Sequence, residues 1–340
     1  MPRGTCTYAL TNLFFAGCSP SGPSGPLFFT PSFWLLCTQS FEDVVIAIQI
    51  PAWQAQPDVW LVVAALVAGY WITIVRVGPR LVSPVQPIVT RLQVISFSLG
   101  VLATWVAGDW PVHIVAEQMN YSVHMVQHLI FAMVAAPLLL LGTPAWMLRW
   151  ILGAPSRRFA VVRSLARFVP ALLIFNLVFI LTHWPAVVNA GLESGLIHFT
   201  LHAILFVSSL VVWLPVLSPL PEIPRLAPPT RMLYLFAQSV LPVVPASFLA
   251  YGTTPLYRFY VDKPHLWGLS TLEDQQVAGL IMKIVAGVLL WLLITVIFFR
   301  WAGEDQKSSQ QMNRKRELNR SLSNNQANRD VPAINAQGAL

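Results

Sequence analysis

The chain has 340 residues, of which 56% are hydrophobic and only 10% are charged, and its formal net charge at pH 7 is +7. Soluble domains carry about 25% charged residues, so this composition excludes a water-soluble fold. The apolar runs are too long for the short alternating strands of a membrane barrel, and they favour membrane-spanning helices.

Residues 1–50 precede the first clear apolar span and differ from the rest of the chain in composition. They contain all three cysteines, Cys6, Cys18 and Cys37, but no CxxC pair, so neither a zinc knuckle nor a redox dithiol is indicated. Proline, glycine and serine cluster at 19–26 between two apolar patches. This pattern fits a signal-like leader, an extra short membrane segment or translated sequence upstream of the true start, and residues 1–50 are left unassigned.

Seven apolar windows follow and predict an all-α, polytopic transmembrane bundle of about seven spans in residues 51–302. Proline- and glycine-containing loops separate them. The predicted spans are 58–76, 91–107, 121–142, 168–184, 195–217, 232–251 and 277–300. Residues 303–340 are polar and basic, as in "NRKRELNR", and are predicted to form a disordered cytoplasmic tail.

The distribution of lysine and arginine orients the bundle. The first, third and fifth loops and the tail hold seventeen of these residues, whereas the intervening loops hold only Arg258 and Lys263. Because cytoplasmic loops are enriched in positive charge, we predict an outside N-terminus and a cytoplasmic C-terminus. The basic residues thus reflect topology in a lipid bilayer, and we expect no nucleic-acid partner.

All seven histidines fall on the outer side of this topology, which depends on lysine and arginine alone. His124 and His128 lie four residues apart in the third span, and His198 and His202 do so in the fifth. Each pair therefore shares one helix face, at a similar depth in the membrane. If the third helix begins near Pro111, His113 and Glu117 extend the first of these faces.

Ionisable side chains inside a membrane are costly and normally face the bundle interior or a water-filled cavity. Imidazoles converging with carboxylates and thioethers suit copper, zinc or iron. We therefore predict a metal site with His124, His128, His198 and His202 as ligands and with His183, Glu117 and Met125 as supporting groups.

Three alternatives stay open from the residues alone. Facing histidines at matched depth could bind haem b, a chain of histidine and glutamate could carry protons, and histidines near helix ends could be interfacial residues. No Walker loop, GxGxxG, GxSxG or HExxH motif is present, so the sequence indicates no enzyme.

Three segments together resemble the seven-span bacterial cytochrome c oxidase assembly factors, the CtaG family, over about residues 58–300. They are "SVHMVQHLIFAMVAAPLLLLGTPAW", "LTHWPAVVNAGLESGLIHFTLHAILFVSSLVVW" and "LEDQQVAGLIMKIVAG". The positions that match are His124, Gln127, His128, His183, Trp184, His198, His202, Glu273, Asp274 and Gln275. The chain departs from the family at Lys283, where an aromatic residue followed by a proline-containing turn is typical.

The resemblance implies a non-catalytic protein of the bacterial cell (inner) membrane that helps to make a haem–copper oxidase. Its partners would be cytochrome c oxidase subunits, and its histidine site would handle or deliver copper on the outer side. A b-type haem-binding protein and a metal-free scaffold for oxidase subunits are the alternatives. The sequence does not decide between a monomer and a homodimer.

Overall fold

A computed structural model describes the backbone of residues 51–330 and the side chains of residues 51–326. The predicted leader 1–50 lies outside the described residues. All regular structure in the described part is helical. The α-helices are α1 (Pro57–Ile72), α2 (Gly78–Leu81), α3 (Arg91–Gly108), α4 (Val112–Gln118), α5 (Tyr121–Leu129), α6 (Ala136–Gly142), α7 (Ala145–Leu152), α8 (Arg157–Leu165), α9 (Phe168–Thr182), α10 (Pro185–Glu193), α11 (Gly195–Leu217), α12 (Pro228–Val240), α13 (Val243–Ala250), α14 (Thr271–Leu280) and α15 (Ala286–Asp330).

Six helical segments are long and apolar enough to cross a membrane, and the bent pair α8–α9 makes up to seven. The predicted all-α transmembrane bundle is therefore confirmed. Three π-helical turns, at Thr73–Val77, Ile130–Ala135 and Ile281–Val285, continue α1 into α2, α5 into α6 and α14 into α15. The fourth predicted span, 168–184, corresponds to α9, which meets the preceding helix α8 at an angle of 82°. Pro170 lies in the first turn of α9, where a helix tolerates proline.

The C-terminal segment corrects one prediction. Helix α15 continues to Asp330, so residues 303–330 are helical rather than disordered. Residues 304–330 contain no proline or glycine and are rich in glutamate, glutamine, lysine and arginine, which favour helix. The side chains from Glu304 to Gln326 are all exposed, so this part of the helix rests on local propensity rather than on packing.

Contacts between distant loops define two ends of the bundle. The histidine end comprises residues 109–120, 183–194 and 251–270. There the Trp60 indole donates to the Asp109 carboxylate at 2.9 Å, and the Tyr257 hydroxyl donates to the His183 carbonyl at 2.9 Å. At the arginine end, which comprises residues 82–90, 143–156 and 218–227, the Arg149 Nε donates to Glu222 at 2.7 Å. Successive spans thus alternate in direction, as the loop pattern predicts.

Helices α3 and α6 pack closely through glycine, as small residues allow in membrane bundles. A Cβ at Gly100 would lie 2.8 Å from the Leu139 Cγ and 2.9 Å from its backbone nitrogen, and a Cβ at Gly142 would overlap the Phe97 backbone. Because backbone cannot move aside easily, no side chain fits at either position.

Substituting Gly142→Ala is expected to lower the stability of the protein by about 1–3 kcal/mol through overpacking. The matched control is Gly69→Ala in α1, where nothing lies within 4 Å of the added Cβ and a small gain in stability is expected. Thermal unfolding in detergent measures both, and equal midpoints for the two variants would contradict the close packing of α3 on α6.

Candidate metal centre

The four histidines of the two i,i+4 pairs meet inside the bundle. The Nε2 atoms of His128 on α5 and His202 on α11 lie 3.0 Å apart. The ring centroids of His124 and His202 are 5.3 Å apart, and those of His124 and His198 are 5.4 Å apart. His124, His128 and His198 are buried. The structure therefore turns both pairs toward each other and away from lipid.

Helix α5 receives its N-terminal cap from another helix. Asp274 on α14 is fully buried and accepts hydrogen bonds from the Tyr121 N–H at 2.6 Å, the Asn120 amide at 2.9 Å, and the N–H and hydroxyl of Ser122. The first N–H groups of a helix lack intrahelical partners and attract negative charge. Asp274 thus fixes the start of the helix that carries His124 and His128.

One donor group, which we name the inner group, consists of His124, His128 and His202. One ring nitrogen from each lies within 4.8 Å of the other two. Two nitrogens bound to one ion at bond lengths of about 2.0–2.1 Å are separated by roughly 3 Å, which matches the 3.0 Å between His128 and His202. The Nδ1 atoms of His124 and His128 are buried without a hydrogen-bond partner in the described part of the chain. The residues present thus fit a metal ion with imidazole ligands.

A second donor group, the outer group, consists of His113, Glu117 and His198. The Glu117 carboxylate lies 3.1 Å from the His198 Nε2 and 3.4 Å from the His113 Nε2. The Gln127 amide donates to the His113 Nδ1 at 3.0 Å and to the Ala107 carbonyl at 2.8 Å. The predicted supporting residue Glu117 and the predicted ligand His198 therefore share this group with His113, which was not among the predicted ligands.

The two groups do not form one stripe on a helix that begins near Pro111. Helix α4 ends at Gln118 and α5 begins at Tyr121. The break occurs at Asn120, whose side chain donates to Asp274 and accepts from the Leu266 N–H at 2.9 Å. Because Asn120 makes these contacts with other segments, α4 and α5 do not form one continuous helix. The two groups still lie side by side, because His198 of the outer group and His202 of the inner group are four residues apart on α11.

His183 lies next to the inner group, with its ring centroid 5.4 Å from that of His128. Its Nδ1 is 2.7 Å from the Phe179 carbonyl, and a carbonyl only accepts, so Nδ1 carries the proton. The Nε2 atom is buried and has no hydrogen-bond partner in the described residues. Metal-binding histidines typically have this arrangement, with one nitrogen tied to a carbonyl and the other free.

Met125 is buried and packs with Tyr121, Val188 and Tyr257, so part of its role is structural. It also lines a cavity of about 40 Å³ with His128, His183 and Met282. Its thioether is thus beside the imidazoles rather than between them. His265 lies apart, with its Nε2 3.0 Å from the Thr271 hydroxyl.

Two cavities meet at the cluster. A cavity of about 290 Å³ between α1, α3, α4 and α11 is lined by the outer group, by His202 and by Asp58. A smaller cavity of about 20 Å³ is lined by His124, His128, His198 and His202. His198 and His202 therefore border both cavities.

The loop between α13 and α14 covers the cluster at the histidine end. The Tyr260 hydroxyl donates to the Ala116 carbonyl at 2.7 Å, and the Tyr257 hydroxyl donates to the His183 carbonyl. Burial raises the pKa of Tyr257 to about 12, so its hydroxyl remains a donor. Gln275 holds this loop by accepting from the Leu256 N–H at 2.7 Å and donating to the Tyr257 carbonyl at 3.0 Å.

These tyrosines were not among the candidate residues from the sequence. Within the "EDQ" segment singled out by the sequence, Asp274 and Gln275 position the site, whereas Glu273 is exposed. Lys283, where the chain departs from the family pattern, donates to the Tyr251 hydroxyl at 3.4 Å and forms no hydrogen bond or ion pair with either donor group among the described residues.

The family model described as cytochrome c oxidase caa3 assembly factor (Caa3_CtaG) matches residues 62–304 of the chain. The match includes every residue of the inner and outer groups. Comparisons with curated proteins and with solved structures find no match.

Proposed function

Because the chain belongs to the cytochrome c oxidase caa3 assembly factor family, as the resemblance in its sequence indicated, we propose that it supplies copper to the oxidase during assembly. The copper is cargo held between the two histidine pairs, and the chain performs no catalytic turnover of its own. The observation that carries this proposal is the convergence of three ring nitrogens from α5 and α11 within 4.8 Å.

The donor types support copper among the metals that histidine binds. Imidazole suits Cu(II), and thioether sulfur suits Cu(I). The inner group offers only imidazoles, while Met125 and Met282 line the adjoining cavity with His128 and His183. A site of this composition can hold copper in either oxidation state without a thiolate.

The outer group receives the ion from the larger cavity. Glu117 supplies a negative charge at the wall of that cavity, and His198 lies beside it at 3.1 Å. The ion then moves to the inner group by exchange of ligands along α11, from His198 to His202. For release to the oxidase, the ion returns from His202 to His198 and leaves the protein at the histidine end.

Orientation in the membrane supports delivery on the outer side. The arginine end carries the excess of basic residues that is typical of cytoplasmic loops, and the donor groups lie near the opposite end. We therefore place the protein in the bacterial cell membrane with its histidine end outward, in contact with oxidase subunits and lipid.

The geometry favours an ion over haem b. A haem bound between two histidines needs its macrocycle to lie between their ring nitrogens. The His128 and His202 nitrogens are in contact at 3.0 Å, which leaves no gap for a porphyrin. A metal-free scaffold, in contrast, has no need of nitrogen atoms buried without partners.

The test expresses each variant in a host whose own gene for this protein is deleted. The H124A/H128A variant is expected to insert in normal amount but to yield an oxidase that lacks copper and activity, because α5 then offers no imidazole to the inner group. The control H265Q removes a histidine outside both groups and should support normal oxidase. Normal oxidase copper with the H124A/H128A variant would refute the proposal.

A further inference from the structure

A long groove at the arginine end is separate from both donor groups. It has a volume of about 630 Å³ and runs between α6, α11, α12 and α15. Its walls are apolar side chains, and three arginines, Arg225, Arg231 and Arg300, line it together with Glu304. The copper proposal uses none of these residues.

The groove has the length of one membrane leaflet. Along α15 it extends from Leu293 to Glu304, which at 1.5 Å per residue is about 16 Å. The hydrocarbon core of a bilayer is about 30 Å thick, so one leaflet is about half of that. Leu293, Val296 and Ile297 lie toward the middle of the bundle, and Arg300, Trp301 and Glu304 follow toward its end. The wall therefore changes from apolar to cationic where a leaflet changes from acyl chain to headgroup.

The arginines retain free hydrogen-bond donors. Arg225 uses its Nε on the Ser218 carbonyl at 2.9 Å, and Arg231 uses one Nη on the Leu226 carbonyl at 2.8 Å. The Arg231 Nε is buried and has no partner among the described residues. None of the three arginines forms an ion pair with Glu304 in the described part of the chain. A guanidinium group with free donors binds phosphate well.

We propose that this groove binds an anionic phospholipid, with an acyl chain against α6, α11 and α15 and the phosphate among Arg225, Arg231 and Arg300. Three positive charges against the single carboxylate of Glu304 favour an anionic headgroup over a zwitterionic one. Basic pockets between membrane helices bind anionic headgroups in this way. The bound lipid would hold the part of α15 that lies at the arginine end of the bundle against α11 and α12.

The experiment measures lipid binding to the full-length protein by native mass spectrometry after delipidation. Phosphatidylglycerol is expected to bind more tightly than phosphatidylcholine with the same chains. The R225Q/R231Q/R300Q variant should lose this preference, by about fivefold for each arginine removed. Substitution of Arg225 and Arg231 also removes their hydrogen bonds to backbone carbonyls. The second variant is therefore R300Q alone, because the Arg300 side chain forms no hydrogen bond or ion pair among the described residues.

Two controls make the result specific to the groove. The R80Q/R91Q/R157Q variant removes three exposed charges from the same end but none from the groove, and it should keep the preference for phosphatidylglycerol. The V296W variant keeps every charge and fills the groove, and it should weaken the binding of both lipids. Unchanged binding in the three-arginine variant and in R300Q, or an equal loss in the R80Q/R91Q/R157Q control, would overturn the proposal.

Discussion

The H128A/H202A variant of the purified protein is expected to lose copper binding. These two residues supply the pair of nitrogens at 3.0 Å, one from each helix, and their removal leaves His124 as the only member of the inner group. Loss of a residue that hydrogen-bonds to a metal ligand already lowers the metal affinity about 10–100-fold, so loss of two ligands should lower it further. Competition with a chelator of known copper affinity measures the change.

The matched control for that variant is H265Q, because His265 lies outside both groups and, unlike His183, is not adjacent to the inner group. Its copper affinity should equal that of the wild type. If H128A/H202A retained wild-type affinity while remaining folded, the inner group would not be the binding site.

The largest effect on stability is expected from Asp274→Asn. The carboxylate accepts from two backbone N–H groups, an amide and a hydroxyl in a fully buried position. Asparagine keeps the shape but places an NH₂ group where only acceptors fit and removes the charge that favours a helix N-terminus. We expect a loss of about 2–4 kcal/mol in unfolding free energy. Copper affinity should also fall, because α5 carries His124 and His128.

The neighbouring residue provides the control for this substitution. Glu273 is exposed and forms a capping box with Ser270 at the start of α14. Glutamine serves in the same motif, so Glu273→Gln should change the stability by no more than about 0.5 kcal/mol. Thermal unfolding in detergent compares the two variants, and similar midpoints would show that Asp274 does not hold α5 in place.

The sequence predicted the transmembrane bundle well because its signal is local. In a membrane, each apolar run must form its backbone hydrogen bonds within a helix, so the length and composition of the run are enough to predict a membrane-spanning helix. The pairing of His124 with His128 and of His198 with His202 is likewise local, since residues four apart share a helix face. That the two faces meet depends on the packing of α11 against the segment that continues α5, which no spacing in the chain reveals.

The parts that sequence reasoning missed are long-range contacts. His113 and Glu117 are four residues apart in α4, but their meeting with His198 of α11 is a contact between distant segments. The tyrosines of the 251–270 loop bond to backbone carbonyls more than 70 residues away. For the tail the sequence prediction was wrong, because the polar composition predicted disorder although residues 304–330 contain no proline or glycine and form a helix.

X-ray absorption spectroscopy of copper bound to the purified wild-type protein tests the central claim most directly. We predict a copper coordination shell with the multiple-scattering pattern of imidazole at about 2.0 Å, and the loss of that pattern in H128A/H202A. A copper shell without imidazole, or one that is identical in the wild type and the variant, would contradict copper binding by the histidines of α5 and α11.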